Sequence, residues 1–370
     1  MKKFEHLKGT VPYKGNLKWL EGNTLFLTVH GSHAYGVATE KSDLDLKGVT
    51  IPPKEYFFGF MDNFNQVDTQ TPYDMCIYDL RNFIKLALSA NPNIIEMLFT
   101  SEKFHLKKHP SFKIFLDNKD LFLSKKAKHT FMGFATSQIS KIRTQRKWLS
   151  NPVTNKPVRE DFGLPPDFKS SKVFDLISNV ILDPQINSWA YVFESVSPED
   201  KEAVQRVVSE LIGLNNAKWT TIEDSFFSMA LKKKGIPKEL EAWISKEREY
   251  SKALKDYKTY SNWVKSVDVD AFDKTLGYDP KGAYHVVRLV RMATELLTTG
   301  ELLVERPDAS ELLEIRGGSW SYQKLIDWFG QKESEIKQLV LRSSLPKSPD
   351  SKKVNSILID VVEVHLKKSK

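Results

Sequence analysis

The sequence has almost no cysteine and no long hydrophobic run, and both features limit what the protein can be. Its one cysteine, Cys76, excludes an intramolecular disulfide and argues against a cysteine metal site, which favours a reducing compartment. No stretch approaches the ~20 apolar residues of a membrane span, and the N-terminus lacks the apolar segment of a signal peptide. We therefore expect a cytoplasmic protein with no membrane partner.

The composition is that of a globular protein with an excess of basic residues. The chain has 370 residues, 41% of them hydrophobic, and a net charge of +8. Since domains usually contain about 100–200 residues, this length suits two domains or one large one. The positive charge is compatible with a polyanionic partner such as a nucleotide or a nucleic acid, although for any single basic run scattered solvated lysines are the better explanation.

The hydrophobic pattern changes from mixed to helical along the chain, which predicts an α+β fold. Strands are predicted at 24–29, 44–51 and 73–78, followed by helices at 79–90 and 94–99. Later segments have helical periodicity, at 201–214, 222–233, 238–266, 281–300 and 354–367. We expect a small mixed-sheet α/β domain over 1–115, a larger all-helical domain over 116–341, and a linker with a C-terminal helix over 342–370.

Two aspartates, Asp43 and Asp45, stand two positions apart in the segment SDLDLKGV. On a strand, both carboxylates point to one face while Leu44 and Leu46 point to the core. Adjacent like charges repel each other, so such a pair is most readily kept around a cation. Mg²⁺ prefers oxygen ligands and usually binds one or two carboxylates together with substrate phosphates. The pair therefore predicts a divalent metal site, although the D-x-D pattern alone is common by chance.

A third carboxylate on a neighbouring strand would complete a two-metal site for in-line nucleotidyl transfer. The preferred residue is Asp74, at the start of the segment YDMCIYDL. Asp79 competes with it, although a helix N-cap also explains that residue. Asp68 lies in a polar stretch and is less favoured. We predict Asp43, Asp45 and Asp74 as the catalytic, metal-binding set, and the choice between Asp74 and Asp79 stays open.

The turn after the first predicted strand, in the segment HGSHAYG, has the composition of a phosphate site. Glycine at position 31 lets the backbone approach a ligand closely, and neighbouring N–H groups with the hydroxyl of Ser32 can bind phosphate oxygens. Tyr35 in the same turn is able to stack on a base or bond to it, with local packing as the alternative. We predict that Gly31, Ser32 and Tyr35 bind a nucleotide.

These residues resemble the Gly-Ser…Asp-x-Asp signature of the DNA polymerase beta-like nucleotidyltransferase superfamily, and within it the predicted nucleotidyltransferases associated with RNA ligases. The resemblance continues through the segments 78–99, 276–302 and 312–318. It implies that Gly31 and Ser32 bind the triphosphate of a nucleoside triphosphate (NTP), and that Asp43 and Asp45 bind two Mg²⁺ or Mn²⁺ ions. Asn91, Pro92 and Glu96 match the pattern too, and we expect structural roles for them.

A basic stripe on the helix predicted at 281–300 indicates a second part of the same site. Lys281, His285 and Arg288 are spaced i, i+4 and i+7, which places them on one face of an otherwise apolar helix. Buried cations need an anionic partner. With the resemblance we favour nucleotide phosphates as that partner and predict that these three residues bind the nucleotide; the alternative is an internal ion pair with Glu295 or Glu301.

Together these predictions describe a metal-dependent nucleotidyltransferase that moves a nucleoside monophosphate (NMP) from an NTP to a hydroxyl acceptor and releases pyrophosphate. The resemblance implies that the acceptor is an RNA end, for example of a tRNA or a nicked RNA. One alternative is nucleotidylation of a protein side chain, as in toxin–antitoxin systems. Another is a nucleic-acid-binding protein without activity. The sequence does not distinguish the acceptors or the preferred base.

Overall fold

A computed structural model describes residues 2–58, 63–166, 238–266 and 276–368. The strands are β1 (Thr24–His30), β2 (Asp45–Thr50), β3 (Gln66–Thr69), β4 (Asp74–Asp79) and β5 (His105–Lys108). The helices before the second gap are α1 (Leu20–Asn23), α2 (Gly31–Ala34), α3 (Glu55–Phe58), α4 (Leu80–Leu88), α5 (Pro92–Phe99), α6 (Pro110–Asp117) and α7 (Ala127–Ser150). Those after it are α8 (Lys238–Ser266), α9 (Pro280–Thr299), α10 (Ala309–Arg316), α11 (Tyr322–Arg342) and α12 (Ser351–Lys368).

The strands form one mixed five-stranded sheet in the order β3-β4-β2-β1-β5, which confirms the predicted α+β class. Strand β2 runs antiparallel to β1 and parallel to β4, whereas β3 and β5 pair antiparallel at the two edges. Strand β1 has the sequence TLFLTVH and is buried at every position. A run rich in β-branched and apolar residues suits such a central position, where both faces of the sheet are covered.

The two edge strands were not predicted from the sequence. Strand β3 (QVDT) is half exposed, and β5 (HLKK) contains only one buried residue. Edge strands are often short and rich in charge, which protects them from further pairing but removes the hydrophobic alternation by which strands are recognised. The three strands that were predicted are the ones that position the site.

The predicted helix at 281–300 is observed as α9, and local signals set both of its ends. The Asp279 side chain accepts a hydrogen bond from the Lys281 N–H, and Pro280 occupies the first turn. At the other end, Gly300 adopts a left-handed conformation and closes the helix. Apolar residues bury most of the circumference of α9, so the helix is a central element of the hydrophobic core.

The chain forms two compact units. The first combines Met1–Arg146 with Asp273–Lys370, and the second is Lys147–Phe272. This division differs from the boundary predicted near residue 115, because α9, α10 and α11 pack with the sheet domain rather than forming a helical domain of their own. In the second unit, the buried side chains of Arg159 and Glu247 form an ion pair. The helices predicted at 201–214 and 222–233 lie outside the described residues. None of the described helices has the length and apolar character that a membrane span requires.

Candidate active site

The pairing of β2 with β4 brings two of the predicted carboxylates together. In the parallel register Asp45 is directly opposite Asp74, each as the first residue of its strand. Asp43 lies two residues before β2 and is exposed. In β2, Leu46 is buried while Asp45 and Lys47 face the opposite side of the sheet, as strand alternation predicts. The structure therefore places Asp45 and Asp74 side by side at one end of the two central strands.

The Gly31-Ser32 turn lies against the same carboxylates. Strand β1 ends at His30, which pairs with Asp45, and the chain then enters the short helix α2. Gly31 has φ +61°, and a Cβ atom built on it would lie 1.9 Å from the Oδ2 atom of Asp45. Only glycine fits such a position without displacing the carboxylate. The Ser32 hydroxyl, half-buried beside it, makes no hydrogen bond to any residue that the structure describes.

We expect Gly31→Ala to disturb the site and lower stability together. A non-glycine residue in the left-handed region costs about 1–2 kcal/mol, and the new methyl group would also push the Asp45 carboxylate aside. Urea denaturation measures the loss of free energy of unfolding. Gly22→Ala is the matched control, because a Cβ there meets no atom within 4 Å. Equal stability of the two variants would contradict this close contact.

The electrostatic environment of Asp45 shows that the carboxylates influence each other. Burial raises the pKa of the Asp45 carboxyl above its usual value, and the negative charges of Asp74 and Asp43 raise it further, while Lys47 and Lys281 act in the opposite direction. Like charges that share a site disfavour ionisation in this way. Coordination of a divalent cation would relieve that repulsion. The oxygen donors present here are of the kind that Mg²⁺ and Mn²⁺ accept.

The three carboxylates do not, however, converge into a complete set of ligands. Across the four described ranges, no group of three or more His, Cys, Asp and Glu side chains is arranged to hold a metal ion. The residues thus fit a divalent ion by their chemistry and proximity, and metal binding by Asp43, Asp45 and Asp74 stays a prediction.

The raised pKa of Asp45 leads to an expected pH dependence of stability. A carboxyl whose pKa is higher in the folded than in the unfolded state, where it is about 3.9, destabilises the folded protein once it is ionised. We therefore expect Asp45→Asn to melt at a higher temperature than the wild type at pH 7. The difference should disappear as the pH falls below the pKa of the unfolded state. Melting curves from pH 3.5 to 8 in EDTA measure this, with the exposed Asp360→Asn as control; a difference that stays constant with pH would contradict it.

The two alternatives to Asp74 as the third carboxylate, Asp79 and Asp68, lie away from the cleft. Asp79 is at the opposite end of β4, paired with Thr50, which is about 16 Å along the strand at ~3.3 Å per residue. It is buried at the N-cap of α4 and its carboxylate accepts a hydrogen bond from Arg81 Nε at 2.9 Å. Asp68 lies on edge strand β3 opposite Cys76. Neither Asp79 nor Asp68 lines the cleft that contains Asp45.

Beneath the turn, Glu96 and Arg288 form a buried ion pair. Arg288 Nη1 donates to Glu96 Oε1 at 2.6 Å, and the Tyr35 hydroxyl donates to Glu96 Oε2 at 2.5 Å. The guanidinium lies 3.9 Å from the centre of the Tyr35 ring. All three residues are buried. The helix capping expected nearby is also present, with the Asn91 side chain accepting from the Asn93 N–H and Pro92 in the first turn of α5.

This cluster corrects two expectations about single residues. Within the protein, Arg288 pairs with Glu96 rather than with Glu295 or Glu301, because α5 and α9 bring these two side chains together in the core, and nucleotide binding by Arg288 stays a prediction. Tyr35 cannot stack on a base as it stands, since it is 4% exposed, its ring is covered by Arg288 and its hydroxyl is bound by Glu96. Both residues still line the cleft from below, where they support the turn.

The other two residues of the basic stripe differ in charge. Lys281 is exposed at the first turn of α9, and its positive charge acts on Asp45. His285 is largely buried, and burial together with the charges of Arg288, Lys281 and Arg316 lowers its pKa to about 3. His285 is therefore neutral at physiological pH, and the charge of Arg288 is balanced by Glu96. Of the three cations expected in the stripe, Lys281 is the one whose charge is available.

These residues line one cleft of about 620 Å³. It contains all nine residues predicted from the sequence: Gly31, Ser32, Tyr35, Asp43, Asp45, Asp74, Lys281, His285 and Arg288. Its volume lies within the ~300–1,000 Å³ typical of ligand sites. The structure thus gathers residues from the turn after β1, from β2 with the loop before it, from β4 and from α9, more than 200 positions later in the chain, in one concave site.

The cleft also contains functional candidates that were not predicted, among them Lys41, Lys47, Phe134, Gln138 and Arg316. Lys47 follows Asp45 on the same face of β2, so strand alternation was a signal that could have identified it. Burial lowers its pKa, and its side chain has no hydrogen bond or ion pair within the described part of the chain. Arg316 donates to the backbone oxygen of Val37 at 3.2 Å, which links α10 to the turn. Helix α7 supplies Phe134 and Gln138. Nothing in the sequence of that segment indicated that it lines the cleft.

Comparison with known proteins finds similarity to a described family in the N-terminal part of the chain. Residues 5–153 match the model of a family described as "RlaP: RNA repair pathway DNA polymerase beta family". A protein of Enterobacteria phage T4, described as the uncharacterized 38.9 kDa protein in the nrdC-mobD intergenic region, is 30% identical over 129 residues. That match covers 32% of this chain and 38% of the phage protein, so the chain spans less than two fifths of the length of this relative. No solved structure matches the chain.

Proposed function

We propose, on the premise that residues 5–153 belong to the RNA repair pathway DNA polymerase beta family, that this protein transfers an NMP group from an NTP to a hydroxyl at an RNA end. The family match supports the general class, a polymerase beta-like nucleotidyltransferase. The observation that supports the finer proposal is the register of β2 and β4, which places Asp45 opposite Asp74 beside the Gly31-Ser32 turn.

In this proposal the carboxylates of Asp43, Asp45 and Asp74 hold two Mg²⁺ or Mn²⁺ ions. Such ions, when bound, neutralise phosphate charge and lower the pKa of the attacking hydroxyl. The Ser32 hydroxyl, which makes no hydrogen bond to the described residues, is free to donate to a phosphate oxygen. The Gly31 backbone approaches the same point because no side chain separates it from Asp45. These two residues would bind the β and γ phosphates.

The lysines of the cleft would neutralise the remaining phosphate charge. Lys281 is exposed at the first turn of α9. Lys47 lines the cleft two residues after Asp45, on the same face of β2. Ammonium groups are common phosphate ligands, and a partly buried cation without a protein partner gains most from an anionic one. Arg288 plays a different part, since its charge is already balanced by Glu96, and it positions the turn from below.

The reaction follows from this placement. The acceptor hydroxyl oxygen attacks the α-phosphorus in line, and a bond forms between that oxygen and phosphorus. The bond from the α-phosphorus to the bridging oxygen breaks, and pyrophosphate leaves with the electron pair. The proton of the acceptor hydroxyl passes to a carboxylate, for which Asp74 is suited because it is exposed at the mouth of the strand pair. Burial of Asp45 between its neighbours fits it for a fixed role in ion binding.

A labelling experiment tests this proposal. The purified full chain is incubated with each α-³²P-labelled NTP, Mg²⁺ or Mn²⁺, and RNA oligonucleotides that carry either free or chemically blocked terminal hydroxyls. We expect label on the RNA with a free hydroxyl and an equal amount of pyrophosphate. Label on protein instead of RNA would replace the acceptor by a protein side chain. No label on any acceptor, with RNA retained at low salt, would leave a nucleic-acid-binding protein without transferase activity.

A further inference from the structure

One side chain in the cleft is aromatic, exposed and without a role in the proposed chemistry. Phe134 of α7 is 39% exposed and lines the cleft together with Gln138. The neighbouring face of the same helix is buried in the core, through Phe131, Ala135, Ile139 and Ile142. An isolated exposed apolar side chain is ordinary on a protein surface. An aromatic ring inside a polar, charged cleft is not explained by core packing, and it offers a flat apolar surface to a ligand.

The other aromatic rings of the cleft cannot offer such a surface. Tyr35 is buried beneath Arg288 and bound to Glu96. Tyr284 is 2% exposed, and its ring lies 4.4 Å, centre to centre, from that of His285. Among the described residues that line the cleft, Phe134 is the exposed aromatic ring, and no described ring or cation packs against it.

Gln138 lies one helical turn after Phe134, so the two side chains point to the same side of α7. A glutamine amide both donates and accepts hydrogen bonds, which is what recognition of a base edge requires. The Gln138 amide has no partner among the residues that the structure describes. A stacking ring next to an unpaired amide is a suitable site for a planar heterocycle with polar edges.

We propose that Phe134 and Gln138 form the nucleobase subsite of this cleft, in which the base of the bound NTP stacks on Phe134 and its edge bonds to the Gln138 amide. The inference rests on the proposed function. It assigns a binding site to the base, the part of the substrate that the carboxylates, Ser32 and the lysines do not contact. It also divides the cleft into two parts with different chemistry. Polyphosphate binding depends on residues of α2, β2, β4 and α9, and base binding depends on α7.

This division allows a test with two kinds of probe. Isothermal titration calorimetry measures the affinity of the full chain for ATP, GTP, CTP and UTP in the presence of Mn²⁺, and for inorganic tripolyphosphate, which has no base. Base stacking on an aromatic side chain corresponds to about a 5- to 150-fold change in affinity. We therefore expect Phe134→Ala to weaken NTP binding by that factor without changing the affinity for tripolyphosphate, and Phe134→Trp to restore it.

Two further variants sharpen the result. Gln138→Ala should reduce the differences in affinity among the four NTPs, while tripolyphosphate binding is unchanged. Phe58→Ala is the matched control, because Phe58 is an exposed phenylalanine that does not line the cleft, and its NTP affinity should equal that of the wild type. Melting curves of each variant verify that it is folded.

The possible failures are distinguishable. Unchanged NTP affinity of Phe134→Ala, or equal losses for NTP and tripolyphosphate, would overturn the base subsite while leaving the proposed nucleotidyl transfer intact. Wild-type protein that binds neither NTP nor tripolyphosphate would overturn the subsite and the proposed function together. Loss of NTP affinity alone, with rescue by tryptophan, supports the subsite.

Discussion

Replacement of Asp45 by alanine is expected to abolish nucleotidyl transfer while the protein stays folded. The carboxylate lies against Gly31 and opposite Asp74, at the point where ions and phosphates would meet. Charge stabilisation by a bound metal contributes several kcal/mol to such a reaction, which corresponds to about a thousandfold in rate or more. We expect the same loss for Asp74→Ala. Pyrophosphate release in the presence of RNA measures both.

A matched control separates this effect from a general change of charge on the sheet. Asp68 is on the neighbouring strand β3, opposite Cys76, and does not line the cleft. We expect Asp68→Ala to keep nearly full activity. Melting temperatures complete the comparison, because loss of the repelled Asp45 carboxylate should raise stability at neutral pH rather than lower it. Activity that survives in Asp45→Ala, or that is lost equally in Asp68→Ala, would show that the active site is elsewhere.

The second large effect concerns stability, and it arises from the buried pair of Glu96 and Arg288. Glu96→Ala leaves the guanidinium of Arg288 buried without a counter-charge, since the residue is only 4% exposed. Removal of one partner from a buried ion pair typically costs about 3–5 kcal/mol. The variant also removes the acceptor of the Tyr35 hydroxyl. We expect Glu96→Ala to lower the free energy of unfolding by that amount in urea denaturation.

A double variant shows whether the pair itself is responsible. Replacement of both partners by apolar residues of similar size, Glu96→Leu with Arg288→Met, removes the unpaired charge and should recover most of the loss. Glu335→Ala is the control, because Glu335 is a half-exposed surface glutamate paired with Lys332, and such surface pairs contribute at most about 1 kcal/mol. A loss in Glu96→Ala no larger than in Glu335→Ala would contradict the buried pair.

The sequence predicted the parts of the site that depend on local patterns. Alternation along β2 correctly predicted that Asp45 faces away from the buried Leu46, and the apolar run before Gly31 predicted the strand that ends at the turn. Asp43, predicted on the same strand face, lies instead two residues before β2. The caps of α5 and α9 also follow from short-range signals. Such patterns act within a few residues, so they are readable without knowledge of the fold.

The sequence could not give the contacts between distant segments. The choice between Asp74 and Asp79 depends on strand register, which the parallel pairing of β2 and β4 sets across a long connection. The pairing of Arg288 with Glu96 joins residues 192 positions apart. The residues around Tyr35 predicted that it lies in a turn. Its burial follows from helix α9, whose Arg288 covers the ring. For the same reason Phe134 and Gln138 were not recognised as parts of the cleft.

Binding of Mn²⁺ measured by electron paramagnetic resonance tests the central claim most directly, because it does not depend on the acceptor or the base. The full chain is titrated with Mn²⁺ together with a non-hydrolysable NTP analogue. We predict that the wild type and Asp68→Asn bind the ions and that the double variant Asp45→Asn with Asp74→Asn does not. Undiminished Mn²⁺ binding by the double variant would contradict the assignment of these strand-paired carboxylates as the metal site.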